Sequence, residues 1–127
     1  MKNLFFTILA TLLISASVKA QSITIQNNTN CPHAVDVYIA PIPACFGSAL
    51  ATTVNVAVGG ANTYTAPAGF WVVGVDITSY GLQLSNPTLG SACSGFPPSG
   101  VGIPSPCWNT PGLTTFTQGM TGSLVIN

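Results

Sequence analysis

The chain has 127 residues but very little charge: two Lys or Arg, two Asp or Glu and one His, so only 3% of its residues are charged. An average soluble domain is about a quarter charged, so neutral polar groups must keep this chain hydrated. Both cations, Lys2 and Lys19, precede residue 21. Because nucleic acids and anionic lipid surfaces are bound through Lys and Arg, residues 21–127 exclude both classes of partner.

The first 20 residues have the pattern of a secretory signal peptide. Lys2 supplies the basic start, residues 4–14 form an apolar run, and Val18 and Ala20 are the small residues that signal peptidase recognises. We predict cleavage before Gln21. The run is too short for a transmembrane helix, which needs about 20 apolar residues, so we expect an exported protein without a membrane span, either extracellular, periplasmic or on the cell surface.

Residues 21–127 are predicted to form a single all-β domain, an antiparallel β-sandwich of Ig-like or jelly-roll-like type with about seven to eight strands. Short segments rich in Val, Ile and Thr are broken at regular intervals by Gly, Pro and Asn, which is typical of such domains. The predicted strands are 22–26, 33–40, 52–58, 62–66, 70–78, a short strand at Leu82 and Leu84, 113–118 and 122–127.

Alternation within these strands predicts which side chains face the core. Ile23 and Ile25 are expected inward and Thr24 outward. In the strand 70–78, the most apolar of the set, two faces are predicted to be largely covered. The residues predicted to share one face of a strand are Val35, Val37 and Ile39, with Asp36 and Tyr38 on the other face of that strand; Val54, Val56 and Val58; Trp71, Val73, Val75 and Ile77, with Phe70, Val72 and Asp76 on the other face; and Leu124 and Ile126.

The region 86–112 shows no alternation and contains most of the ten prolines. A segment of this length without regular structure is unusual inside a compact domain, and it is either functional or tied down. We predict a Pro- and Gly-rich loop, which is the first place to look for a binding surface. A surface loop held only by disulfides is the alternative interpretation.

The four cysteines, Cys31, Cys45, Cys93 and Cys107, predict two disulfides in an exported chain of this size. If residues 33–40 are extended, Cys31 and Cys45 lie at opposite ends of one strand, too far apart for the ~7 Å Cα separation that a bridge tolerates. We therefore favour crossed pairing, in which each of these two takes a partner from Cys93 and Cys107. The local pairing, Cys31 with Cys45 and Cys93 with Cys107, remains the alternative.

Catalytic chemistry has few candidates here. His33 begins a strand after Pro32 and is expected on the surface or rim. Because it is three positions from Asp36, the two side chains are expected on different faces of the strand and cannot act as a pair. Asp36 and Asp76 become neighbours if their strands pair. Two carboxylates at about 5–9 Å from each other are what glycoside hydrolysis requires. With no other acid in the protein, we expect no enzyme activity and no catalytic residue. Two carboxylates are too few for calcium, no zinc spacing exists, and no cofactor is expected.

Aromatic residues give the one positive indication of a ligand. Trp108 lies in the long loop, and Tyr38 and Tyr80 are expected to join it. Exposed aromatic rings among neutral hydrogen-bonding groups are how uncharged modules bind sugars. The alternative is that Trp108 covers an open end of the sandwich. A carbohydrate-binding module is therefore our second hypothesis for function.

The strand faces suggest a different function. Outward positions carry threonine and asparagine, and no lysine is available to protect the strand edges from pairing with another copy. We therefore expect a non-catalytic structural or surface-associated module that can self-associate, with itself or neutral glycans as partners. The outward positions are Thr24, Thr53, Asn55, Thr63, Thr65, Thr115 and Thr117.

The opening of the chain resembles a group of known sequences. The leader ends Val18-Lys19-Ala20-Gln21, and the segment Ile23-Thr24-Ile25-Gln26-Asn27-Asn28-Thr29-Asn30-Cys31-Pro32 follows. Together they resemble the start of short, uncharacterised secreted β-sandwich proteins of environmental Gram-negative bacteria. The resemblance covers the first third of the chain. It implies bacterial export and no particular activity or ligand.

Overall fold

The computed structural model describes residues 21–41, 48–86, 96–103, 112–117 and 121–127. Within these ranges the chain is almost entirely β, with one short 3-10 turn at Thr78–Tyr80. The strands are β1 Ser22–Asn27, β2 His33–Pro41, β3 Ala49–Val56, β4 Ala61–Thr65, β5 Phe70–Ile77, β6 Leu82–Ser85, β7 Ser99–Val101, β8 Leu113–Thr117 and β9 Thr121–Ile126. The predicted signal peptide and Cys45, Cys93, Cys107 and Trp108 lie outside the described residues.

The strands form two sheets. One has five strands in the order β4-β1-β9-β8-β7, and the other has four in the order β3-β2-β5-β6. The ladders are antiparallel except for β1 with β9, which run parallel. The prediction of a purely antiparallel sandwich is wrong at this pair. A parallel pair needs a long connection, and the chain between β1 and β9 supplies it.

The core lies between the two sheets and draws side chains from both, giving a sandwich-like arrangement. The predicted alternation of β1 is confirmed, since Ile23 and Ile25 are buried and Thr24 is exposed. β9 likewise buries Leu124 and Ile126. The remaining core residues are Val35, Val37, Val54, Val56, Val72, Val75, Ile77, Tyr80, Leu82, Leu84 and Phe116.

Strand β5 departs from the predicted alternation. Tyr38 pairs with Gly74 and Ile39 pairs with Val72, so Val73 is an extra residue in β5. A bulge of this kind reverses the parity of the strand on one side of it. Val72 therefore points into the core with Val75, while Val73, predicted to share the face of Val75, does not belong to the core cluster.

Two strand boundaries also differ from the prediction. β3 begins at Ala49 and ends at Val56, and Val58, predicted to be inward, is 53% exposed because it lies in the turn before Gly59. The region 86–112, predicted to lack regular structure, contains β7, which pairs with β8 through Gly100 and Thr114. Three residues are too few to show alternation, so the sequence gives no sign of this strand.

Candidate functional site

A row of polar side chains crosses the outer face of the four-stranded sheet. The register places Thr53 of β3 opposite Asp36 of β2, Asp36 opposite Asp76 of β5, and Asp76 opposite Gln83 of β6. The Thr53 hydroxyl donates to Asp36 Oδ1 at 2.6 Å, and the Gln83 amide donates to Asp76 Oδ2 at 2.8 Å. Asp36 and Asp76 are therefore cross-strand neighbours at the centre of the row. Each accepts a hydrogen bond from the neutral residue on its other side, Thr53 for Asp36 and Gln83 for Asp76.

A groove lies beside this row, and we call it the outer groove. Its volume is about 320 Å³, at the lower end of the ~300–1,000 Å³ of small-molecule sites. Two aromatic side chains, Tyr38 and Phe96, and three polar ones, Ser48, Asp76 and Gln83, line it. The other lining residues are Val73, Gly74, Val75 and Leu84.

The outer groove continues along β6 towards the 3-10 turn. An adjoining depression shares Asp76, Gln83 and Phe96 with it and adds Thr78, Gly81 and Pro97. Phe96 is 43% exposed, and its backbone carbonyl accepts a hydrogen bond from the Ser85 hydroxyl. The ring is thus presented to solvent from a segment that is fixed to β6.

Irregularities in both neighbouring strands position Tyr38. The β2–β3 register shifts between Val37 and Tyr38, and the β2–β5 register shifts between Tyr38 and Ile39. Bulges bend a strand and change the direction of nearby side chains, and they are common beside binding sites. Gly74, opposite Tyr38 in β5, carries no side chain, and the Tyr38 ring lines the groove at this point.

The predicted ligand-binding residues have three different positions. Tyr38 lines the outer groove and is half-buried. Tyr80 is fully buried and offers no ring to a ligand: its hydroxyl donates to the Asn127 backbone carbonyl, and Gly102 lies so close that a Cβ there would overlap the ring. The prediction for Tyr80 is therefore wrong. Trp108 lies outside the described residues.

His33 is the second group whose position differs from the prediction. It is only 2% exposed, because it has the same strand parity as Val35 and Val37 and therefore faces inward. That parity was readable in the sequence, and the preceding Pro32 gave a misleading sign of a surface position. Tyr80 packs against the imidazole edge to face, with ring centroids 5.4 Å apart.

A chain of hydrogen bonds runs through His33. The imidazole Nε2 lies 2.8 Å from the Thr29 hydroxyl, and Nδ1 lies 3.1 Å from the Ser79 hydroxyl. Thr29 in turn donates to Asn27 Oδ1 at 2.7 Å. Asn27 is oriented without ambiguity, since its Oδ1 also accepts from the Thr29 backbone N–H and its Nδ2 donates to the Cys31 carbonyl.

This network defines the tautomer of His33. The other oxygens near the Thr29 hydroxyl, Asn27 Oδ1 and the Cys31 carbonyl, only accept, so the single Thr29 proton goes to one of them. Thr29 must then accept from His33 Nε2–H. Burial lowers the pKa of His33 from its ordinary value of 6.5, so the ring is neutral at neutral pH, and its Nδ1 accepts a hydrogen bond from the Ser79 hydroxyl.

Some chemistries find no support in the described ranges. No three His, Cys, Asp or Glu side chains come together there as a metal site would require. Only one carboxylate, that of Asp76, lines the outer groove, whereas hydrolysis of a glycoside uses two that flank the bond. No helix of the described chain is long and apolar enough to cross a membrane.

Comparison with known proteins gives no family for this chain. No protein-family model matches it, and no curated protein or solved structure matches it either.

Proposed function

We propose that the protein is an extracellular binding module that takes a neutral, hydroxyl-rich ligand, such as a segment of a glycan, in the outer groove. The observation that carries the proposal is the meeting of two aromatic rings, Tyr38 and Phe96, with a carboxylate and a carboxamide, Asp76 and Gln83. Aromatic faces stack on the apolar faces of sugar rings. Carboxylate and amide groups form hydrogen bonds with the hydroxyls of the sugar.

The hydrogen bond between Gln83 and Asp76 supports this choice of ligand. Gln83 Nε2 donates to Asp76 Oδ2, which leaves the amide oxygen of Gln83 and the second oxygen of Asp76 to accept from ligand hydroxyls. The amide also keeps a second N–H to donate. A fixed set of neutral and anionic acceptors beside an exposed ring suits a polyol better than an anion.

Glycan binding is tested with the purified domain on a glycan array, followed by titration of the best ligand. Phe96→Ala is expected to weaken binding by about fivefold, since loss of one stacked ring costs on the order of 1 kcal/mol. Val58→Ala is the matched control, because Val58 is 53% exposed and does not line the groove. Binding that Phe96→Ala leaves unchanged would contradict the proposal.

Self-association into a structural or surface-associated layer is the second candidate, and one observation favours it. Val101 of β7 and Leu113 of β8 are cross-strand partners that are 57% and 55% exposed, and Ile103 beside them is 64% exposed. β7 is an edge strand without a charged side chain, and uncharged edges pair readily with another copy. Sedimentation at several concentrations tests this: a strict monomer would argue against it.

We further propose that the domain is exported and carries two disulfides in an Ig-like or jelly-roll-like sandwich. β2 extends over His33–Pro41, which supports the geometric argument for crossed pairing of Cys31 and Cys45 with the other two cysteines. Mass spectrometry of non-reduced peptides tests the pairing. Trypsin cannot be used, because residues 21–127 contain no Lys or Arg.

A further inference from the structure

Ser79 and His33 have the arrangement of a nucleophile and its base. The Ser79 hydroxyl lies 3.1 Å from His33 Nδ1 and the ring's other nitrogen is held by Thr29 at 2.8 Å. An activated serine generally has its hydroxyl hydrogen-bonded to a neutral imidazole, and a third group orients the other ring nitrogen of that imidazole. Here the third group is a threonine that is itself anchored by Asn27.

We propose that Ser79 is a nucleophilic serine, activated by His33, that accepts the acyl group of small uncharged esters. In the first step Ser79 Oγ forms a bond to the ester carbonyl carbon while its proton passes to His33 Nδ1. The ester C–O bond then breaks, and the leaving alkoxide takes that proton and departs as an alcohol. Water hydrolyses the acyl-serine in the same way, with His33 accepting a proton from water and returning it to Ser79.

The surroundings of Ser79 indicate the class of substrate. Ser79 is exposed, and with His33 it opens into a depression of about 550 Å³ that we call the end groove. The remaining lining residues are Pro32, Ala34, Asn55, Val56 and Ala57. None of them carries a charge, so a small ester with an uncharged acyl group fits the lining, and a phosphate or carboxylate would find no counter-charge among these residues.

The end groove is separate from the outer groove. The two share no lining residue. His33 faces the core side of β2, whereas Asp36 and Tyr38 lie on its outer face. The proposal therefore goes beyond the binding function, and loss of either activity by mutation is expected to leave the other intact.

The titration of His33 gives Ser79 reactivity a characteristic pH dependence. Burial keeps the pKa of His33 below 6.5. Among the described residues, the groups that contact the ring include Thr29 from the β1–β2 turn and Ser79 and Tyr80 from the 3-10 turn, and of these three only the Tyr80 phenol can titrate. Reactivity should rise through the acidic range and reach a plateau at neutral pH.

The experiment uses a fluorophosphonate probe, which labels activated serines, with intact-mass detection of the adduct on the purified domain. The expected result is one adduct that maps to Ser79 and is absent from Ser79→Ala. Ser123→Ala is the control, because the Ser123 hydroxyl contacts Thr117 and not a histidine, and it should label like wild type. His33→Gln is expected to label about 100-fold more slowly, the effect of losing a positioned base.

Two outcomes would overturn the proposal. One is the absence of an adduct at Ser79 in the wild-type protein. The other is labelling of folded His33→Gln at the wild-type rate. If His33→Gln does not fold, as circular dichroism will show, the wild-type pH profile decides: an inflection below pH 6.5 supports activation by His33, and a rate that simply follows hydroxide concentration refutes it.

Discussion

Asp36 and Asp76 are direct cross-strand partners in the β2–β5 ladder. They are the only carboxylate side chains in the sequence, and no Lys or Arg follows Lys19. The neutral donors Thr53 and Gln83 bond to the outer sides of the pair. The carboxylates therefore oppose each other with no Lys or Arg after Lys19 to balance their charge.

Replacing Asp36 with Asn is expected to stabilise the domain. Like charges directly opposite each other in a sheet are destabilising by about 0.2–1 kcal/mol, and an Asn at this position can still accept the Thr53 hydrogen bond. The free energy of unfolding in urea at low salt should rise by that amount, and the gain should shrink as salt is added.

A double-mutant cycle separates repulsion from other effects of the substitution. Asp76→Asn alone should give a similar gain, and the double variant should be little more stable than either single variant, because one substitution already removes the repulsion. A loss of stability in either single variant, or full additivity of the two gains, would show that the pair is not repulsive in the folded protein.

Acidic pH is expected to destabilise the domain through His33. Burial lowers the pKa of His33 in the folded state below its ordinary value of 6.5, so the unfolded chain binds the proton more readily. Stability is then highest above pH 6.5 and falls as the pH drops below it, until the lowered pKa is passed.

The measurement is urea unfolding at a series of pH values on either side of 6.5. His33→Gln should flatten the dependence in this window, because glutamine does not titrate. An unchanged dependence in that variant would assign the effect to another group. The Tyr80 phenol, which burial pushes to a raised pKa, titrates far above this range and does not contribute.

Part of the fold was predictable because alternation is a local property. Ile23, Ile25, Leu124 and Ile126 were correctly placed in the core from parity alone. The bulge at Val73 could not be placed by parity, since Val72, Val73 and Val75 are all apolar and fit either face, and the extra residue shows only in the pairing with β2. The parallel pairing of β1 with β9 also depends on contacts between distant segments, which no local pattern records.

The candidate site was less predictable than the fold. The adjacency of Asp36 and Asp76 followed once their strands paired, and Tyr38 was placed on the outer face by parity. Phe96 was missed because a single aromatic residue in a proline-rich segment gives no periodic signal. The contact between His33 and Ser79 joins residues 46 positions apart and requires the 3-10 turn, so the sequence could not show it.

Gly74→Ala is expected to destabilise the domain and to alter the outer groove. A Cβ at Gly74 would lie 2.9 Å from the Leu84 carbonyl oxygen, which is backbone of the neighbouring strand and cannot rotate away. Forced overpacking of this kind costs about 1–3 kcal/mol. The fold-change in ligand affinity of the outer groove should exceed the fold-change in the rate of Ser79 labelling, both relative to wild type.

Gly59→Ala is the comparison for this variant. Gly59 has a φ of +65°, and a Cβ added there would have nothing within 4 Å, so its substitution costs backbone strain alone, about 1–2 kcal/mol, and should leave ligand binding unchanged. Equal ligand affinity in Gly74→Ala and wild type would mean that β6 can move without disturbing the groove, contrary to the close approach seen at Leu84.

Asn27→Ala is expected to be one of the most destabilising single substitutions in the described chain. Asn27 is fully buried, and its side-chain amide bonds to the Cys31 carbonyl at 2.7 Å and the Ala57 carbonyl at 3.1 Å, while its oxygen accepts from the Thr29 backbone at 2.9 Å. Alanine removes the Asn27 partner of each of these groups. The free energy of unfolding is expected to fall by about 1–3 kcal/mol for each buried group that stays without a hydrogen bond.

Asn28→Ala is the matched control, because Asn28 is exposed and its side chain bonds only to Gln26 and Asn127 among the described residues. Thermal unfolding should show a large loss for Asn27→Ala and a change within about 0.5 kcal/mol for Asn28→Ala, the usual range of surface substitutions. Since Asn27 also orients Thr29 and through it His33, Asn27→Ala should slow Ser79 labelling even at temperatures where it remains folded. Normal labelling in a folded Asn27→Ala domain would separate the stability role of Asn27 from any role in orienting the imidazole.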